Sequence, residues 1–337
     1  MPHSANPADP PAAAPLGLVG DIGGTNCRLA LVDWQAGRPS VRAFESMLCA
    51  DHATAADCIG RWLGAQGPGP RPRFAVFAVA GPVLDGAASL TNNDWQLCEA
   101  ALAAELGLSR VRLINDFAAL ALATPHLEPA DSVPIGPDLP GRAGATIAVM
   151  GPGTGFGLAA LAGGTSAGLL VTEGGHIAYA PTDEVEHAVL RILARRHGRV
   201  SIERILAGLG LADLHAALED IAGTLPTGLD AASITAAAAA GNLLAGTTVD
   251  RFCAILGSTA GDLALALGAQ GGVFIAGGIA PRLLDALRAS PFRHRFETKG
   301  RCTHYMQSIP TRVITTKNAA LRGAAHELAR LAGLEPI

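Results

Sequence analysis

LGLVGDIGGTNCRLALVDW, residues 16–34, has the pattern of strand, glycine turn, strand. Leu18, Val19 and Ile22 lead in. Cys27, Leu29 and Leu31 then alternate with Arg28, Ala30 and Val32, a period of two. Between the runs lie Asp21, Gly23, Gly24 and Thr25. Paired glycines free the backbone to aim successive N–H groups at one point, and such a concavity binds anions. A carboxylate beside a bound phosphate is repulsive unless a cation lies between them, so Asp21 next to this turn points to a Mg²⁺-nucleotide. An ordinary tight hairpin would need the same glycines. No G-x-x-x-x-G-K-[ST] loop occurs in the chain, and this turn leads into a strand where Walker and dinucleotide loops lead into a helix.

Further along, TIAVMGPGTGFGLAAL (residues 146–161) repeats the plan, with Gly151, Gly153, Thr154 and Gly155 in the turn. Two such hairpins imply a duplicated core whose halves face each other across a cleft, holding a polyphosphate between the two turns. The 337 residues suffice for about two domains around a large core. With 49% hydrophobic residues and 4% aromatics, that core is aliphatic. A net charge of −4 and the lack of a basic run argue against a nucleic-acid surface. The six cysteines (27, 49, 58, 98, 253 and 302) show no C-x-x-C and no metal-ligand spacing, which fits free thiols in a reducing compartment. No signal pattern and no apolar run of about 18 residues is present, so a cytoplasmic protein with no membrane span is expected.

Residues 1–15, rich in Pro and Ala, read as a disordered tail. Strands are expected at 41–46, 74–80 (FAVFAVA, buried on both faces), 111–114, 169–172, 272–275 and 313–315. Helices are expected at 54–63, 97–106, 118–123, 183–197, 211–221, 233–267 (as two) and 319–332. SIERIL, residues 201–206, has the look of a capped helix start with Glu203 in its first turn. Loop-rich 125–142 marks a domain crossing. The expected organisation is a small domain of 16–125 plus 317–337 and a large one of 126–316.

Asp116 stands where a buried strand gives way to a helix, a place that aims side chains into a cleft, with Asn115 beside it. The same position suits a helix cap. Glu173 and His176 flank two glycines, so the backbone can turn sharply and point both side chains one way. Glu203 adds a carboxylate, or serves as a capping-box residue. Such a set without cysteine suits a polyhydroxyl ligand, because hydroxyls pair well with carboxylates. Glu-x-x-His is half of a di-iron signature, but the two glycines argue against the long bundle helix it needs. Gly277 and Gly278 follow a strand and precede Pro281, which opens a helix; that junction suits a nucleotide, or a plain strand-to-helix turn.

Taken together these stretches resemble the bacterial glucokinases, ATP-dependent and hexokinase-like, of the actin-like ATPase superfamily. LVGDIGGTNCRLALVD is similar to their first phosphate motif and GPGTGFGLAAL to their second. LINDFAALALA resembles the segment with their catalytic aspartate, EGGHIAYAP and SIERIL their sugar-binding stretches, GGVFIAGGIAPR their adenosine-side motif, and FRHRFETKGR a further typical segment. The resemblance runs in order from about residue 16 to 326. It implies a two-domain α/β fold of the ribonuclease H-like, actin-like type, and phosphorylation of D-glucose at the 6-hydroxyl by ATP with Mg²⁺, the first step of glycolysis. It implies Asp116 as general base. It implies Asn92, Asn115, Asp116, Glu173, His176 and Glu203 on the sugar, and Gly20, Asp21, Ile22, Gly23, Gly24, Thr25, Gly153, Thr154 and Gly155 along the phosphates. Gly277 and Gly278 would approach the adenosine, and Asp21 would orient Mg²⁺ through water. A homodimer is also implied; and because water must be kept from the γ-phosphate, the domains are expected to close on sugar. After SIERIL the chain reads AGLGL, without the proline often found there. Relatives with a cysteine-rich zinc motif do not match. A kinase for fructose, mannose or an N-acetylhexosamine is the alternative. A sugar-responsive regulator would need a helix-turn-helix that residues 1–15 are too short and proline-rich to form, and a chaperone-type ATPase would need a long β-rich peptide-binding region.

Overall fold

The computed structural model describes residues 17–68, 71–90 and 93–334. The expected tail and Asn92 lie outside the described residues. The opening hairpin forms: β1 (Gly17–Ile22) and β2 (Asn26–Gln35) pair antiparallel with Ile22 opposite Cys27. β3 (Arg38–Leu48) continues the meander beside β2. On its other side β1 takes a parallel neighbour, β4 (Phe74–Val79), whose residues Ala75 to Val79 are all buried. A small antiparallel pair, β5 (Ala87–Ser89) with β6 (Gln96–Cys98), precedes β7 (Arg110–Asn115), which lies parallel to β4. The sheet order is therefore β3-β2-β1-β4-β7. Helices Ala55–Ala65 and Glu99–Leu106 lay Ile59, Trp62 and Leu102 on Leu18, Leu29 and Phe77, forming one aliphatic core. The first of these starts at Thr54, whose hydroxyl accepts the Asp57 N–H at 3.0 Å, satisfying one of the helix's free donors.

The second sheet contains β8 (Ser132–Pro134), β9 (Ile147–Pro152), β10 (Phe156–Leu161), β11 (Leu169–Thr172), β12 (Gly272–Ile275) and β13 (Thr311–Ile314). Its order is β11-β10-β9-β12-β13-β8. Along β11-β10-β9-β12-β13 the order and directions repeat those of the first sheet, an antiparallel meander followed by two parallel neighbours. The duplication expected from the two glycine turns is thus a duplication of topology. β8 has only three residues, too few to show alternation, and exists because β13 pairs with it antiparallel.

The chain forms two compact units. One holds the described residues up to Asp116 together with those from Ala324 onward; the other is Phe117–Gly323. The expected crossings, at 125/126 and 316/317, differ from this division. In the second unit the Phe117 ring fills the space where a side chain on Gly157 would sit, and Gly323 lies against the Ala119 carbonyl with no room for a Cβ. Packing, which a loop-rich composition does not report, therefore keeps helix Asp116–Ala123 beyond its first residue with the second unit.

The expected long helical stretch does form two helices, Ala231–Ala239 and Leu243–Leu267, bent by 113° at their junction. Among the described residues no single helix is long and apolar enough to cross a membrane. Buried Glu186 joins helix Glu184–His197 to the FRHRFETKGR segment, accepting from Arg295 at 2.7 Å and from Tyr179 at 2.9 Å. Within that segment Arg295 also donates to Ser258, and Lys299 pairs with Asp262.

Candidate active site

In the first unit the glycine turn is pinned from within and from Cys49, the residue that follows β3. The Gly23 N–H donates to the Asn26 carbonyl at 2.9 Å, and the Cys49 N–H donates to the Thr25 carbonyl at 2.9 Å. Thr25 is exposed, and Gly23 and Gly24 are half-buried. Gly20 and Ile22 are buried within β1. A Cβ on Gly20 would lie 2.7 Å from the Phe77 ring and 2.9 Å from Leu29, so packing already demands glycine there. Asp21 stands opposite Arg28 in the register and accepts from it at 2.7 Å. At the same end of the sheet, level with Ile22 through Val79, Asn115 closes β7 and donates its side-chain amide to the Gly81 carbonyl at 3.1 Å. Asp116, half-buried, opens helix Asp116–Ala123.

The second unit gathers the remaining candidates around its own turn. Pro152 pairs with Phe156, leaving Gly153, Thr154 and Gly155 between them, and the Gly153 N–H donates to the Gly155 carbonyl at 2.7 Å. Thr154 is exposed. Glu203 reaches this turn: its carboxylate accepts the Phe156 N–H at 2.8 Å, and a Cβ on Gly155 would collide with it. The Glu203 N–H donates to the Gly175 carbonyl at 2.9 Å, which ties the loop of Glu173 and His176 to the same place. There a 3₁₀ turn, Gly174–His176, brings His176 Nε2 within 3.9 Å of the Glu173 carboxylate, both side chains exposed. Gly175 has no room for a Cβ against the Phe156 carbonyl. Gly277 lies against the Pro152 carbonyl, and the Ile279 N–H donates to that carbonyl at 3.2 Å. Gly278 follows, so the β9–β10 turn and the Gly277–Gly278 junction are neighbours.

Two local readings change. SIERIL is not a helix start: Ser201 bridges to Ala178, the following residues form turns, and the helix begins at Gly208. Glu203 follows Ser201 by two positions where a capping box needs three, and it spends its carboxylate on Phe156, while buried Ile202, Ile205 and Leu206 serve the core. Pro281 opens a single 3₁₀ turn, Ala280–Leu283, before helix Leu284–Ala289. Among the described residues no group of three or more His, Cys, Asp or Glu could hold a metal ion.

Sequence reasoning passed over Arg28 as a partner of Asp21, although the period-two register places them across one hairpin. It also passed over Cys49, whose thiol donates to the Gly23 carbonyl and whose N–H donates to the Thr25 carbonyl, contacts made through the fold that leave no local signal.

The family model described as Glucokinase matches residues 18–331. The chain belongs to the glucokinase family. A protein named glucokinase from Caulobacter sp. (strain K31) is 51% identical over 311 residues, which cover 92% of this chain and 94% of that one. The crystal structure of glucokinase from an Antarctic psychrotroph is 38% identical with a TM-score of 0.84, covering 93% of this chain and 98% of that one. A ROK family glucokinase from Streptomyces griseus, solved in complex with glucose and AMPPNP, is 20% identical with a TM-score of 0.63, covering 94% and 99%, a likeness of fold. The fold is the α/β, two-domain actin-like ATPase type, and this member of the glucokinase family is an enzyme, a hexose phosphotransferase.

Proposed function

We propose that this glucokinase-family chain transfers the γ-phosphoryl group of ATP to the 6-hydroxyl of D-glucose, giving glucose 6-phosphate and ADP at the entry to glycolysis. The observation that carries the reading is the seat of Glu203. Its carboxylate rests on the Phe156 N–H of a glycine turn while its own backbone holds the Glu173–His176 loop. Groups suited to sugar hydroxyls and a backbone cradle suited to phosphates thus share one place. Phosphoryl transfer asks for alignment and charge neutralisation more than covalent help. With the Gly23 and Gly153 N–H groups closing the two turns onto Asn26 and Gly155, the backbone N–H groups of Gly24, Thr25, Thr154 and Gly155 would line the phosphates, with Gly277 and Gly278 towards the adenosine. Glu173, His176, Glu203, Asn115 and Asn92 would hold hydroxyls. Asp116 would take the proton of the 6-hydroxyl as general base.

A single carboxylate beside the turn fits Mg²⁺, which keeps several waters and takes one or two carboxylates plus phosphate oxygens. Asp21 is that carboxylate, oriented by Arg28. Bound there through water, the ion would neutralise phosphate charge. A cytoplasmic homodimer completes the reading and rests on family resemblance alone.

The test is an ADP-release assay with MgATP over glucose, fructose, mannose and N-acetylglucosamine. Glucose should give the highest kcat/KM; preference for N-acetylglucosamine would replace the substrate. Asp116→Ala should lower kcat by about 10²- to 10⁴-fold while glucose still binds. Near-normal turnover in that variant would remove Asp116 from the role.

A further inference from the structure

The FRHRFETKGR segment, residues 292–301, has no part in the reaction as derived, yet Arg295 grips the stretch that carries the proposed sugar loop. From Gly175 to Tyr179 that stretch runs antiparallel to residues 200–203. The Glu203 N–H donates to the Gly175 carbonyl at 2.9 Å, the Ile202 N–H to the Ile177 carbonyl at 3.0 Å and the Tyr179 N–H to the Val200 carbonyl at 3.1 Å, with Ala178 bridging Ser201. These bonds make the backbone of Glu173, His176 and Glu203 one piece. Its far end is held by Glu186. Glu186 Oε2 accepts the Tyr179 hydroxyl at 2.9 Å, the Thr182 N–H at 2.9 Å and the Thr182 hydroxyl at 3.0 Å. Glu186 Oε1 accepts from Arg295 at 2.7 Å and from Arg251 at 3.4 Å. Arg295 donates as well to the Thr182 hydroxyl, and to Ser258 of helix Leu243–Leu267 at 2.8 Å. Glu186 is 0% exposed and Tyr179 6%, so water does not replace a donor that is lost. A buried carboxylate bonded on both oxygens has one orientation, and that orientation sets Tyr179.

We infer that Glu186 and Arg295 are positioning residues for the hexose. Through the Tyr179 hydroxyl and Thr182 they hold residues 175–179 in register with 200–203, and so hold Glu173, His176 and Glu203 in place. The inference rests on the proposed reading in giving those three side chains to the sugar. The second glycine turn keeps its own bond, from the Gly153 N–H to the Gly155 carbonyl, whatever happens at Tyr179. Loss of the network therefore weakens sugar in preference to nucleotide.

The experiment is steady-state kinetics on the full chain, with glucose and MgATP varied in turn, alongside thermal melting. It compares the unaltered protein with Tyr179→Phe, Arg295→Met, Arg295→Lys, the Tyr179→Phe/Arg295→Met double variant and, as a control, Glu173→Ala. Tyr179→Phe removes one hydroxyl and keeps the ring. It should raise the glucose KM about three- to tenfold, the range of one net hydrogen bond, with the ATP KM and kcat close to their original values. Arg295→Met should raise the glucose KM at least as far, and Arg295→Lys, which keeps a charged donor, should recover part of the loss. Both side chains act through Glu186, so the double variant should fall short of the product of the single effects. A merely structural network would lower the melting temperature and leave both KM values unchanged, and that result overturns the inference. So does an equal rise in the two KM values, or a double variant that reaches the full product. Should Arg295→Met not fold, Tyr179→Phe carries the test. Glu173→Ala separates the two failures. A raised glucose KM there, with an unchanged one in Tyr179→Phe, overturns the inference and leaves the proposed reaction standing. An unchanged glucose KM in Glu173→Ala removes this loop from the sugar, and overturns that part of the proposed reading and the inference with it.

Discussion

Replacing Glu203 separates the two duties assigned to it. Its carboxylate accepts the Phe156 N–H at 2.8 Å, at the edge of the second glycine turn, and in the proposed reaction it also takes a sugar hydroxyl. Glu203→Ala removes both. A hydrogen bond to a charged group contributes about 1.5–3 kcal/mol, so losing one costs about 10- to 150-fold in affinity or rate. With a sugar contact and a turn contact both lost, kcat/KM for glucose should fall by about 10²-fold or more, and KM for ATP should rise as the turn loosens. Glu203→Gln keeps a carbonyl oxygen for Phe156 and loses only the charge. That variant should hold the ATP KM close to its original value while glucose kcat/KM falls by about tenfold. Steady-state kinetics with each substrate varied in turn, alongside thermal melting, gives the comparison. Equal kinetics in the alanine and glutamine variants would refute the double role. Unchanged glucose kcat/KM in Glu203→Ala would refute any contact with the sugar.

Gly157→Ala tests the packing within the second unit, because the new methyl would overlap the Phe117 ring. Overpacking costs about 1–3 kcal/mol, so the melting temperature should drop, and an unchanged value would mean the ring has room to move. Acid should also destabilise the fold. Burial opposes the charge on Glu186, yet hydrogen bonds from the Thr182 N–H, Arg295 and Tyr179 hold its carboxyl below its ordinary 4.5. Burial likewise opposes the charge on Asp183, and the Glu186 N–H, Arg251 and Arg295 hold it below 3.8. With folded values below unfolded ones, the unfolded chain binds more protons in the intervening range. The stabilisation is therefore complete above about pH 4.5 and is lost as pH falls through the folded values. A melting temperature that stays flat from about pH 5 to pH 3 would contradict this.

The strand–turn–strand units at 16–34 and 146–161, the doubly buried strand at 74–79 and the Asp116 junction are legible along the chain, because each is a local pattern. Period-two alternation, an apolar run and paired glycines act over a few residues, so their order survives in the one-dimensional text. The repeated sheet order follows from two copies of that text. Tertiary packing made the remaining choices. Phe117 against Gly157 and Gly323 against Ala119 keep their helix with the second unit, although composition marks the crossing elsewhere. Glu203 looks like a capping residue from its neighbours alone, yet it serves the Phe156 N–H, 47 positions away. Cys49 reaches Gly23 over a gap of 26 positions and β8 exists only because β13 lies alongside it. Contacts between distant segments depend on which surfaces meet after collapse, and spacing along the chain carries no record of that meeting.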